Sequence, residues 1–146
     1  MHRDFGRYYV ELAPDDFRVP DEVGLVDYCG SDLERGDDLW LVAEVAADVV
    51  GAVFARLVPP SADAHFEVNP ALGETQLQID YLVTDERHRR RGVATALVDA
   101  AESWGRERGA TVATTSTYAT SPSSAPFWQH RMGYRTRSLL LVKPLR

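Results

Sequence analysis

Between Gln76 and Tyr118 the hydrophobic period changes twice, and no other stretch limits the fold as much. In QLQIDYLV, Leu77, Ile79, Tyr81 and Val83 alternate with Gln76, Gln78, Asp80 and Leu82, the pattern of a half-buried strand. Beyond a basic loop, Val93, Leu97, Ala100, Ala101 and Trp104 recur on one helix face, and Gly109 supplies a left-handed stop. TVATTSTY, from Thr111 to Tyr118, is β-branched and reads as a second strand. Strand, helix and strand in this order make a crossover, which sets the two strands parallel.

The flanking sequence adds shorter elements. YYVELA, from Tyr8 to Ala13, alternates weakly and predicts a first strand. The turn-rich segment after it, with Val23, Val26 and Leu33, predicts one or two short helices. LWLVAEV and VVGAVFARLV, separated by the polar break AAD, predict a β-hairpin. Pro59 to Glu74 has three prolines and no period, so it reads as a loop, and loops this long are more often functional than inert. SPSSAPFWQHRMGY predicts a short serine-capped helix ending at Gly133, and YRTRSLLLVKPL a closing strand. The expectation is one α+β domain over residues 1–146.

Net charge is −6, and positive charge is concentrated in one place. Without Arg87, Arg89, Arg90 and Arg91, 12 basic residues face 22 acidic ones, a balance of −10. That argues against a nucleic-acid binder, for which phosphate neutralisation dominates affinity. No apolar run reaches the roughly 18 residues a membrane helix needs, and no secretory leader is recognisable, so a cytoplasmic protein is expected. The lone Cys29, in VDYCGSD, permits no internal disulfide or cysteine-based zinc site, and no histidine near it in sequence suggests a thiol nucleophile.

The loop RHRRRG, Arg87 to Gly92, opens the helix. A helix N-terminus leaves backbone N–H groups unpaired and concentrates about half a positive charge. Gly92 lets a bulky anion approach those groups, and Ala94 keeps the next turn uncrowded. A P-loop would need Gly-Lys-Ser/Thr here, but Val93 and Ala94 follow Gly92. A dinucleotide fingerprint would need three glycines after the first strand of a larger parallel sheet. Neither pattern is present.

Arg89-Arg90-Arg91-Gly92-Val93-Ala94 instead resembles Arg/Gln-x-x-Gly-x-Gly/Ala, the coenzyme A signature of the GNAT superfamily of N-acetyltransferases. The resemblance runs from Leu39 to Tyr134 and includes the order of elements. LWLVAEVAADVVGAVFARL is similar to that family's central hairpin, and SAPFWQHRMGY to its late helix. It implies a mixed, mostly antiparallel sheet flanked by helices. It also implies that backbone N–H groups of Arg89, Arg90, Arg91, Gly92, Val93, Ala94 and Thr95 hold the pyrophosphate of acetyl-CoA. Leu82 and Val83 would pair with the pantetheine arm where the two parallel strands splay. No metal is implied. The expected partner is a small-molecule or peptide amine acceptor; nucleic acid and membrane are not expected, and a homodimer is left open.

Acetyl transfer needs a neutral amine. An alkyl ammonium of pKa about 10.4 is roughly one part in 2,500 neutral at pH 7, a cost of about 4.6 kcal/mol. Asp80, three residues before Val83 and on the face opposite Ile79 and Tyr81, is the first choice of base, its alternative role being to pair with an arginine. Gln78 stands where some family members carry a catalytic glutamate. The family's late helix often supplies a tyrosine acid; here the pair is Phe127-Trp128, with one residue more than usual before Gly133. An indole is no useful acid, so Tyr118, at the end of the strand Thr111 to Tyr118, is the substitute expected. Acceptor-binding segments would be Asp15 to Asp38 and Pro59 to Glu74. The resulting expectation is direct transfer to a primary amine, of a small molecule or a protein N-terminus, in a ternary complex. The alternative is a catalytically silent acyl-CoA-binding regulatory domain of the same fold.

Overall fold

β1 (Leu39–Val45) and β2 (Asp48–Val58) form the expected hairpin. The turn between them holds Ala46 and Ala47 at φ 50° and 70°, the left-handed pair that matches strand twist in a two-residue connection. β3 (Gln76–Thr84) runs antiparallel to β2, and β4 (Val112–Thr115) runs parallel to β3, in the order β1-β2-β3-β4. The structure, a computed structural model, describes residues 1–33 and 36–145, apart from the side chains of Cys29 and Asp32. It comprises two compact units, Met1–Ser116 and Thr117–Arg146.

In the first unit, α3 (Val93–Glu107) is the crossover between β3 and β4 and buries Leu97, Val98, Ala101 and Gly105. Glycine lets helix and sheet approach closely at two points. A Cβ on Gly51 would lie 2.7 Å from Val93 Cγ1, and one on Gly105 would lie 3.1 Å from Leu77. Around these contacts Val50, Val53, Ala55, Leu77, Ile79 and Val98 are almost fully buried. Each such side chain contributes roughly 1.5–3 kcal/mol of burial. Val98, not Ala100, belongs to the buried stripe; Ala100 is exposed.

The other sheet face carries aromatic residues. Trp40 and Tyr81 flank Phe54 in the ladder, and α1 (His2–Leu12) sets His2 and Phe5 against Tyr81, with ring centroids 5.5 and 5.2 Å apart. The strand expected over Tyr8 to Ala13 is therefore wrong. His2, Phe5 and Tyr9 lie at helical spacing, and Phe5 and Tyr9 stack at 4.8 Å; a six-residue window was too short to show this period. α2 (Leu25–Leu33) is the short helix expected in the turn-rich segment. Val23, Val26 and Leu33, the apolar residues that suggested it, are exposed rather than buried.

β3 contains a β-bulge. Phe54 pairs with Tyr81 and Ala55 with Ile79, so Asp80 is an extra residue without a partner on β2. Ile79 faces α3 with Ala55, whereas Tyr81 faces α1 with Phe54. Unbroken alternation had put Ile79 and Tyr81 on one face; the bulge separates them.

In the second unit, α4 (Ser124–Pro126) runs directly into a π turn, Phe127–Arg131. The closing strand expected over residues 134–145 does not form. These residues join no ladder, and Leu139, Leu140, Leu141 and Val142 are 74–91% exposed. A continuous apolar run such as Leu139 to Val142 has the composition of a strand, but a strand also needs a neighbour to receive its hydrogen bonds.

Candidate active site

The parallel ladder is short, and its end shapes the site. Gln76 to Ile79 pair with Val112 to Thr115, and pairing stops at Ile79↔Thr115. The Thr115 hydroxyl donates to the Ile79 carbonyl at 3.0 Å, closing the last position. From Asp80 onward β3 has no β4 partner, and the bulge breaks its register with β2 at the same residue. Leu82 and Val83 stay paired with Val53 and Ala52 on the β2 side and have no β4 partner on the other. The parallel pairing thus ends before the two residues that the resemblance assigned to the pantetheine arm.

β3 leads into the arginine loop at Asp85, whose backbone N–H donates to the Val50 carbonyl at 2.8 Å. The Asp85 carboxylate caps the 3-10 turn Glu86–His88 by accepting from Arg87 N at 3.0 Å. It also accepts from Arg87 Nε at 3.2 Å and meets His88 Nδ1 at 3.2 Å. The Arg87 guanidinium, and after it His88, hold the Asp85 carboxyl at about 2, well below its ordinary range. Asp85 in turn pushes Arg87 upward. Both residues are thus tied into the loop, and the sequence signal for this was the aspartate opening DERH. Arg89 lies 3.9 Å from Glu86, while Arg90 and Arg91 are exposed.

Gly92 is the N-cap of α3 at φ 83°, ψ 0°, and a Cβ there would meet nothing within 4 Å. Space is therefore open above the first turn, where Val93 and Ala94 N–H have no intrahelical acceptor. Arg90 also adopts a left-handed φ, 60°, folding the loop backbone ahead of the helix. A glycine-opened helix start with arginines around it fits a pyrophosphate. A cavity of about 380 Å³ bordered by Asp37, Asp38, Leu57, Trp104 and Arg108 lies at the other end of α3 and does not include this loop.

Asp80 is held on the α1 face of the sheet. Its Oδ2 accepts from Arg56 Nε at 2.7 Å and its Oδ1 from Gln78 Nε2 at 2.6 Å. The pairing named as its alternative role is present, and it holds both carboxylate oxygens. Arg56 is the residue sequence reasoning missed. Its signal was its place opposite Gln78 on the neighbouring strand, which only the register reveals.

In the second unit, Tyr118 is half-buried, three residues beyond β4 rather than at its end, and its carbonyl accepts from Ser121 N at 2.9 Å. The extra residue before Gly133 is absorbed by the π turn, where Met132 N donates to the Phe127 carbonyl at 3.0 Å. Trp128 is 5% exposed and packs edge-on to Phe127 and Tyr134, so it is a packing residue.

Comparisons with known proteins agree with this geometry. Human N-acetyltransferase 8 is 40% identical over 76 residues, which are 52% of this chain and 29% of that protein. The match thus spans less than a third of the human protein. A tetramutant of the BH1408 protein from Bacillus halodurans superposes with a TM-score of 0.82 at 18% identity, covering 99% of this chain and 89% of that one. An aminoglycoside acetyltransferase, meta-AAC0020 from an uncultured soil metagenomic sample, gives 0.65 at 14% identity over 96% and 85% of the two chains. At such identities the likeness is one of fold. The model of the acetyltransferase (GNAT) family matches residues 6–134, from α1 through the sheet and the arginine loop to the residues just after the π turn. The chain belongs to the GNAT acetyltransferase family.

Proposed function

We propose that this chain is an acetyl-CoA-dependent N-acetyltransferase that passes the acetyl group directly to a primary amine within a ternary complex. The observation that carries the proposal is a parallel ladder that stops at Ile79, followed along the chain by the glycine start of α3 at Gly92. In this reading a strand edge for the extended arm and a loop for the phosphates would follow one another along the chain. When bound, acetyl-CoA supplies an acetyl thioester and leaves as the free thiol.

The residues would divide the work as follows. Backbone N–H groups from Arg89 to Thr95 hold the pyrophosphate, and the free side of Leu82 and Val83 pairs with the pantetheine arm. N–H groups released by the bulge polarise the carbonyl that the amine attacks. The Asp80 carboxylate would take the ammonium proton, the Tyr118 hydroxyl would give one to the departing sulfur, and the second proton lost by the nitrogen would restore the tyrosine through solvent. Asp80 is supported by its place one residue past the last parallel pair, and Tyr118 by following β4 closely in the chain. Among the described residues no helix is long and apolar enough to cross a membrane, and we assign the activity to the cytoplasm.

Thermal melting with saturating acetyl-CoA, followed by thiol release with a panel of amines, tests the proposal. Ligand at a hundred times its Kd should stabilise the protein by about 2.7 kcal/mol, a shift of several degrees. No shift would sink the proposal. A shift without thiol release from any amine would favour the silent acyl-CoA-binding domain instead.

A further inference from the structure

We infer that the acceptor is an α-amino acid with a free carboxylate and that Arg56 reads that carboxylate; this rests on the N-acetyltransferase reading above. Arg56 stands on β2 opposite Gln78, one residue past the Leu39↔Ala55 pair that begins β1 in the ladder. No β1 residue is therefore in register beside it, and its side chain is 47% exposed. A guanidinium is a planar fork of five N–H donors. One of them, on Nε, holds Asp80 Oδ2 at 2.7 Å, and Gln78 steadies the other carboxylate oxygen at 2.6 Å. Among the described residues the terminal nitrogens of Arg56 make no further hydrogen bond or ion pair.

The charge arithmetic of this pair selects the acceptor. Asp80 alone would suit any ammonium. With Arg56 in contact, much of the attraction of Asp80 for a bare ammonium is offset by repulsion, and a polycation gains little more. A zwitterion satisfies both charges, its ammonium on Asp80 and its carboxylate on the open fork of Arg56. The terminal amine of a peptide has no carboxylate on the same carbon and makes only half of that contact. An exposed strand ion pair adds little to folding, so stability alone gives the pair little reason to be there.

The full chain would be assayed for thiol release with a series of α-amino acids, each beside its amide and its decarboxylated amine. For at least one amino acid, kcat/KM should exceed those of its two analogues by about tenfold or more. In Arg56→Gln that ratio should fall by about tenfold, and Arg56→Lys should restore part of it. Binding gives a second readout: in the presence of coenzyme A, the N-acetyl amino acid should raise the melting temperature more than its amide. Melting curves of the two variants show whether each is folded. Analogues that react as well as the acids, or a ratio unchanged in folded Arg56→Gln, would overturn the inference. If acetyl-CoA stabilises the protein and only amines without a carboxylate react, the inference fails while the enzyme reading stands. If acetyl-CoA does not stabilise it, both fail.

Discussion

Gly92 and Arg90 both adopt left-handed backbone angles, 83° and 60°, yet they differ in what can replace them. Arg90 already bears a side chain there, so another unbranched residue at that position brings little new backbone strain. Gly92 faces open space, and what a side chain would fill is the volume assigned to the pyrophosphate. Gly92→Ala should cost about 1 kcal/mol of stability and shrink the acetyl-CoA melting shift. Gly92→Glu should abolish that shift while leaving a folded protein, as circular dichroism would show. A full shift in Gly92→Glu would place the cofactor elsewhere. This glycine was legible in the sequence because one six-residue spacing named it. Arg56 was not, because nothing local distinguishes it from any other strand arginine until β2 and β3 are laid in register.

The arginine loop is an element held from within by Asp85. Because the folded carboxyl titrates at about 2, below its ordinary 3.8, the stability it adds is present above about pH 4 and is lost as pH falls through about 2. A carbon NMR titration of the Asp85 carboxyl should find that low midpoint; an ordinary one would remove the capping role. Asp85→Asn should loosen the Glu86–His88 turn and weaken acetyl-CoA binding by roughly three- to tenfold at neutral pH. Among the elements, the hairpin, β3, α3 and the parallel crossover were readable from period alone. α1 was misread because its aromatic stripe is completed by Tyr81, seventy-two residues after Tyr9 in the chain. The closing strand was misread because Leu139 to Val142 have the composition of a strand without its ladder.

The whole molecule is acidic, at −6, with four of its fifteen arginines gathered ahead of one helix. Its affinity for a polyphosphate cofactor should therefore fall severalfold between low and roughly 0.3 M salt. A DNA or RNA oligomer should show no saturable binding at physiological ionic strength; submicromolar binding there would reverse this reading of the loop. The extra residue in β3 also reaches beyond the site. Upstream of Asp80 the odd-numbered residues Leu77 and Ile79 serve the layer under α3. Downstream, Tyr81 turns to α1. Parity changes sign in mid-strand, so the register with which β3 serves the two hydrophobic layers is reset at Asp80. A frame error of one residue at Asp80 would scramble both layers downstream while leaving the upstream half intact.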